Sequence, residues 1–205
     1  MKITQNLLQT LCNIAQAAGN EIMAVYDQGG AVWQKEDASP LTEADLRADA
    51  VIRQGLETAF PGVFILSEES CSVGDQKVDL FCLVDPLDGT KEFLKRNGEF
   101  TVNIALVQRG VPVAGVVYAP ALSEMFYAAR GQGAFKQSVD GVVRVLKLSP
   151  WIASETLRMV GSCSHGGANS LIHFCGSRQF TQVLPHSRRP ASGTRLQGLN
   201  SSLKT

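Results

Sequence analysis

The spacing of the apolar residues changes once along this chain, at Pro61-Gly62, and that change constrains the fold more than any other feature. Before it, Leu7, Leu8, Leu11, Ile14, Ala15, Ala18, Ile22 and Val25 fall at helical spacing within residues 3 to 27, and Gly29-Gly30 closes the run. The stretch "SPLTEAD" opens a second helix. Thr42 is placed to cap it, Asp45 three residues on completes a capping-box pattern, and Ala48, Val51, Ile52, Leu56 and Ala59 carry the apolar face to Phe60. After Gly62 the apolar residues come in short runs: "VFIL" (63–66), "LFCLV" (80–84), "FTVNIALVQ" (100–108), "VPVAGVVYA" (111–119), "EMFYAARG" (124–131), "GAFKQ" (133–137) and "VVRVLKL" (142–148). Arg109-Gly110 between two of them predicts a hairpin turn. Two helices followed by turn-linked strands predict an α+β fold, with the helices packed on a largely antiparallel sheet.

Composition narrows the function classes. The chain has 205 residues, 44% apolar and 19% charged, enough for one large domain or two small ones. Its formal net charge is zero, without the basic surplus of a nucleic-acid binder. It has no apolar run long enough to span a membrane, and "MKITQNLLQTLCNIAQ" lacks the apolar core of a signal peptide, so a cytoplasmic protein is expected. Five cysteines without a C-x-x-C pair (Cys12, Cys71, Cys82, Cys163 and Cys175) argue for reduced, buried thiols rather than a disulfide framework or a zinc ribbon.

The charges are unevenly distributed. Residues 1–155 hold 19 acidic and 13 basic side chains, whereas residues 156–205 hold no acid and six basic residues. The Ser-, Arg- and Gly-rich stretch "SRRPASGTRLQGLNSS" has little apolar surface to offset ordering entropy, so order is expected to weaken after about Pro185.

Four acidic positions fall at the ends of elements: Asp45, Glu68 (followed by Glu69), Asp85 and Asp88. If the strands "VFIL" and "LFCLV" are neighbours, their ends bring Glu68, Asp85 and Asp88 together. Packed carboxylates repel, and one pKa must rise unless a cation neutralises them. Mg²⁺ suits an all-oxygen cluster and leaves room for water and phosphate oxygens, and two such ions can serve phosphate-ester hydrolysis. Pro86 fixes a φ angle and aims the Leu87 carbonyl, a further oxygen ligand. Gly89 lets backbone N–H groups approach an anion, and Thr90 and Lys91 begin a short helix. Each piece also has a plainer reading: an Asp-Gly turn, a first-turn helix acid at Asp45, and a solvated "SEES" loop. Lys35 either reaches the phosphate region or is a solvated lysine.

The motifs "LTEAD" (41–45), "LSEES" (66–70) and "VDPLDGTKEF" (84–93) resemble those of the inositol-monophosphatase family of Mg²⁺-dependent, lithium-sensitive phosphatases. The longer string "VDPLDGTKEFLKRNGEFTVNIALVQRGVPVAGVVYAP" (84–120) and "QKEDASPLTEAD" (34–45) resemble its bacterial 3′(2′),5′-bisphosphate nucleotidase branch. The resemblance covers roughly residues 5 to 165. It implies a layered helix and antiparallel-sheet sandwich. It assigns Glu68, Asp85, Asp88 and the Leu87 carbonyl to Mg²⁺, with two or three ions in the family and fewer expected here. Asp45 would hold a metal-bound water and pair with Thr90. Glu68 and Thr90 would orient the attacking water. Glu68, Leu87, Asp88, Gly89, Thr90 and Lys91 would face the substrate, a phosphorylated nucleotide. The implied reaction removes the 3′-phosphate of adenosine 3′,5′-bisphosphate to give AMP. The resemblance admits a homodimer, and a peripheral site at the cytoplasmic side of the inner membrane.

The family pattern then fades. The family's second domain carries a Trp-Asp-x-x-Ala-type motif whose aspartate completes the metal site. Here Trp151 precedes Ile152, and no acid follows Glu155. "LRMVGSCSHGG" (157–167) resembles the entry to that domain, and "SSLK" (201–204) a later segment. His165, His173 and His186 show no ligand spacing. The expectation is a metal-binding domain over residues 1–150, an incomplete second domain with a poorly ordered tail over 151–205, and a truncated or frame-disrupted family member. Three readings stay open: an active nucleotidase, an inactive fragment of one, and a sugar phosphatase of the inositol-monophosphatase kind.

Overall fold

The computed structural model describes residues 4–35, 40–70, 78–147, 158–161 and 182–185. The chain divides into two compact units, Met1–Leu148 and Ser149–Thr205. The expected weakening of order after Pro185, and Cys71, Cys163, Cys175 and the three histidines, lie outside the described residues.

The first unit begins with helix α1, Gln5–Gln28. Thr4 caps it by accepting a hydrogen bond from the Leu7 N–H at 3.3 Å. Gly29 ends it at φ +76°, where its N–H still reaches the Val25 carbonyl. Two short strands follow, β1 Val32–Gln34 and β2 Pro40–Thr42, paired antiparallel. Strands of three residues are too short to carry a period, and sequence patterning gave no sign of them. Helix α2, Glu43–Ala59, starts in the capping box expected at Thr42 and Asp45.

Seven strands then build one sheet: β3 Phe64–Ser67, β4 Leu80–Asp88, β5 Thr101–Gln108, β6 Val111–Ala119, β7 Glu124–Ala129, β8 Gly133–Gln137 and β9 Val143–Leu146. A short helix, α3 Thr90–Leu94, stands between β4 and β5. The strands lie in chain order across the sheet, and every pair is antiparallel except β3 with β4, which is parallel. Arg109 and Gly110 both take positive φ (52° and 74°), as a twist-matched two-residue hairpin loop requires. The fold is thus the expected α+β arrangement. In the second unit, β10 Arg158–Gly161 and β11 Gln182–Pro185 pair in parallel.

One sequence expectation is corrected. The strand expected over residues 80–84 does not stop at Val84 ahead of the Asp-Gly turn; it runs on through Asp88 as β4. β5 extends far enough to pair Asp85 with Asn103 and Asp88 with Thr101, and the register shifts between the two aspartates. A bulge of this kind absorbs Pro86, whose missing N–H a regular ladder would not tolerate.

The core lies between α1, α2 and one face of the sheet. Leu8, Leu11, Ile22, Ile52 and Leu56 from the helices meet Cys82, Val84, Val102, Ile104, Leu106 and Val116 from the strands, all buried. Cys12 and Cys82 are free thiols within this core, and burial pushes both up to about 11. On the opposite face Leu83, Val117 and Phe126 are 46%, 43% and 36% exposed.

α1 approaches the sheet closely because residue 19 has no side chain. A Cβ on Gly19 would lie 2.3 Å from the Tyr118 ring, while the Tyr118 hydroxyl accepts a hydrogen bond from Gln16 Nε2 at 2.6 Å. Alanine at this position gains about 1 kcal/mol in helix propensity. Overpacking a closed core costs roughly 1–3 kcal/mol, and 2.3 Å is far inside contact distance. Overpacking wins, so Gly19→Ala is expected to lower the midpoint of urea denaturation; a raised midpoint would contradict this packing.

Candidate active site

The parallel pairing of β3 with β4 places the C-terminal ends of both strands at the same sheet edge. Ser67 is level with Val84, and the Glu68 N–H continues the ladder by donating to the Val84 carbonyl at 3.1 Å. Glu68 and Glu69 therefore emerge beside Asp85, as proposed from sequence on the condition that the strands were neighbours. Asp85 responds to them. Burial pushes its carboxyl up to about 7, and the nearby charges of Glu68 and Asp88 add to the effect.

α2 and α3 bring the other residues in. Asp45 is buried, 1% exposed. Its Oδ2 accepts hydrogen bonds from the Thr42 N–H at 2.7 Å and the Thr42 hydroxyl at 2.5 Å. Burial raises its pKa, against the pull of those bonds and of Lys35. The Thr90 hydroxyl lies 3.3 Å from Asp45 Oδ1 and 3.2 Å from the Leu87 carbonyl oxygen. Its single proton serves one or the other, so Asp45 and Leu87 share one anchor. Gly89 sits at φ +93°, and a Cβ there would lie 2.9 Å from the Glu99 carbonyl, so both conformation and space call for glycine. Lys91 is exposed on the first turn of α3.

Two residues gain roles that sequence reasoning did not fix. Lys35 is not a free solvated lysine: its Nζ lies 2.6 Å from Glu69 Oε1 and 3.2 Å from Glu68 Oε1. Burial alone would lower its pKa, but the two glutamates outweigh that and raise it. The Glu69 side chain is itself buried, and burial raises its pKa against the pull of Lys35. Nothing in the local sequence marks Asn103. It faces Asp85 across the ladder, and its Nδ2 donates to Asp88 Oδ2 at 3.1 Å. Only its register opposite the Asp-Pro-Leu-Asp stretch could have revealed it.

The structure thus gathers Asp45, Glu68, Asp85, Leu87, Asp88, Gly89 and Thr90 at one edge, with Lys91 exposed on the adjoining turn of α3. Among the described residues no three carboxylate, cysteine or histidine side chains close into a tight ion cage. Glu68 is turned toward Lys35 and Asp88 toward Asn103. The donor set nevertheless suits a hard divalent cation: carboxylates and a carbonyl, all oxygen. The half-buried Asp85 beside two further acids has the electrostatic character that such a cation neutralises. A groove of about 670 Å³ adjoins the edge, lined by Glu68, Asp85 and Asn103 together with Leu66, Leu83 and Val117 from the exposed face of the sheet.

Comparison with known proteins adds an independent line. The model of the inositol monophosphatase family matches residues 4–193. The 3′(2′),5′-bisphosphate nucleotidase CysQ of Salmonella typhimurium is 52% identical over 130 residues, which is 62% of this chain and 53% of that protein. The CysQ of Aggregatibacter actinomycetemcomitans is 39% identical over 195 residues, covering 89% of this chain and 72% of that protein. The crystal structure of CysQ from Bacteroides thetaiotaomicron superposes with a TM-score of 0.70 at 34% identity, covering 88% of this chain and 72% of that one. The chain spans about half the length of the first of these relatives.

The charge crowding at Asp85 has a measurable consequence. Its pKa rises from 3.8 to about 7 in the fold, so the protonated form is favoured there. Below about pH 4 the group is protonated in folded and unfolded chain alike and costs nothing. Stability falls as pH rises toward 7, and the full penalty applies above it. Asp85→Asn is therefore expected to stabilise the metal-free chain at pH 8, by on the order of 2 kcal/mol after relaxation of the neighbours, and to change little at pH 4. Thermal denaturation at both values tests this, and equal Tm at pH 8 would refute it.

Proposed function

This chain belongs to the inositol monophosphatase family, and from that premise we propose that it is a Mg²⁺-dependent phosphomonoesterase removing the 3′-phosphate of adenosine 3′,5′-bisphosphate. Enzymes of the family are metal-dependent. The observation that carries the reading is the shared strand edge, where the Glu68 N–H bonded to Val84 sets that acid beside the crowded Asp85. The CysQ relatives at 39–52% identity supply the substrate class.

In this reading Glu68, Asp85, Asp88 and the Leu87 carbonyl hold Mg²⁺. The ion supplies neutralisation of the crowded acids and polarisation of water and phosphoryl oxygens. The remaining work falls to the chain. Glu68 and Thr90 orient the attacking water, and Asp45 fixes the Thr90 hydroxyl. The Gly89 backbone and the Lys91 ammonium meet the phosphate. The water oxygen bonds to phosphorus as the bond to the 3′ oxygen breaks, and that oxygen leaves protonated, giving AMP and inorganic phosphate. Residues 1–150 form the metal-binding domain, 151–205 begin a second domain, and the reaction is cytoplasmic.

One observation favours a second reading, a chain that binds metal without turnover. Every acid lies at or before Glu155, so residues 156–205 contribute no carboxylate to the site. Phosphate release from adenosine 3′,5′-bisphosphate by the 205-residue chain, with and without Mg²⁺, separates the two. Inositol monophosphate as a parallel substrate tests the sugar-phosphatase alternative. Mg²⁺-dependent release is expected, and Asp88→Asn is expected to abolish it. Turnover unchanged by that substitution would overturn the metal assignment, and a folded chain that binds Mg²⁺ without release would establish the second reading.

A further inference from the structure

Helix α2 carries more of the site than Asp45. Asp45, Asp49 and Arg53 recur every fourth residue, so they share one helix face. Each reaches a different part of the site edge. Asp45 holds Thr90, as described. Asp49 Oδ1 accepts a hydrogen bond from the Ser67 hydroxyl at 2.5 Å. Arg53 Nη1 donates to Ser70 Oγ at 3.1 Å. Ser67 and Ser70 bracket Glu68 and Glu69 in sequence, so α2 clamps the glutamate turn at both ends. The inner clamp is the stronger of the two. Asp49 is 6% exposed and Ser67 2%, while the Arg53 side chain is 34% exposed. A buried hydroxyl that loses its acceptor must find another or shift.

We propose that Asp49 is a positioning residue for Glu68: through the Ser67 hydroxyl it fixes the turn that presents Glu68 to the cation. The inference rests on the reading of Glu68 as a Mg²⁺ ligand. Asp49 touches neither cation nor substrate in this scheme. It acts at one remove, as the groups that orient metal ligands do, where loss typically costs about 10–100-fold in metal affinity. The backbone bond from Glu68 to Val84 holds the main chain at that point. The buried hydroxyl adds the constraint from the helix side, so the turn is held from two directions.

The test is Mg²⁺ titration of the full chain by calorimetry, with Tm measured in metal-free buffer as a separate readout. Asp49→Ala and Ser67→Ala are each expected to weaken Mg²⁺ binding by roughly tenfold or more. The double variant is expected to be no worse than the weaker single, because both remove one interaction. Asp49→Asn is expected to bind nearly as the parent does, since its amide oxygen still accepts from Ser67. Ser67→Ala removes one oxygen from a small side chain, so it carries the test if Asp49→Ala does not fold. Single variants that lower Tm but bind Mg²⁺ with parental affinity would overturn the proposal. So would losses that multiply in the double variant. A parent chain that takes up no Mg²⁺ would overturn the reading beneath it, and the proposal with it, whereas a parent that binds beside variants that bind equally well refutes the positioning role alone.

Discussion

The site depends on one parallel strand pair in a sheet that is otherwise antiparallel. Had β3 met β4 antiparallel, Glu68 would emerge at the opposite edge from Asp85 and Asp88. The parallel pairing sends both strands toward the same edge, with Ser67 level with Val84. A parallel pair needs a crossover of about a dozen residues or more, and here the connection occupies residues 68 to 79. The chain thus commits a long connection to one pairing, and the outcome is a set of acids within electrostatic reach of one another.

That crowding shapes the rest of the edge. Burial and like charge hold Asp85 near 7, and Lys35 answers the two glutamates from the β1–β2 side. α2 supplies the frame. It is fixed to α1 and the sheet by an apolar face that includes Ile52 and Leu56, and it presents Asp45, Asp49 and Arg53 toward the turns. A rigid helix can hold a neighbouring turn more tightly than loop contacts alone. The same packing that closes the core therefore sets the geometry of the polar edge, through hydrogen bonds from one helix face.

Much of this was legible beforehand. The helical spacing from Leu7 to Val25 and from Ala48 to Ala59 located both long helices, since a face buried along its whole length must repeat at the helical period. Arg109-Gly110 marked a hairpin, and "TEAD" marked a helix start. Asp45, Glu68, Asp85 and Asp88 stand out because each falls at an end of an element that the apolar spacing predicts. The misses share a cause. β1 and β2 are too short for a period, and the extension of β4 through Pro86 depends on a partner strand that outruns it. The pairing of Lys35 with Glu68 and Glu69, and of Asp49 with Ser67, joins residues 18 to 34 positions apart. No local pattern records such pairs.

The sequence by itself determined the elements, the α+β class and the inventory of carboxylates, because those follow from periodicity, turn chemistry and residue type within a few positions. The tertiary structure alone decided that β3 and β4 run parallel, that Asp85 is crowded enough to shift toward 7, and that Lys35 pairs with Glu69, Asn103 with Asp88 and Asp49 with Ser67. The reason is physical. A charge's neighbours, and its distance from water, are set by how strands and helices pack, and packing joins residues that the chain keeps far apart.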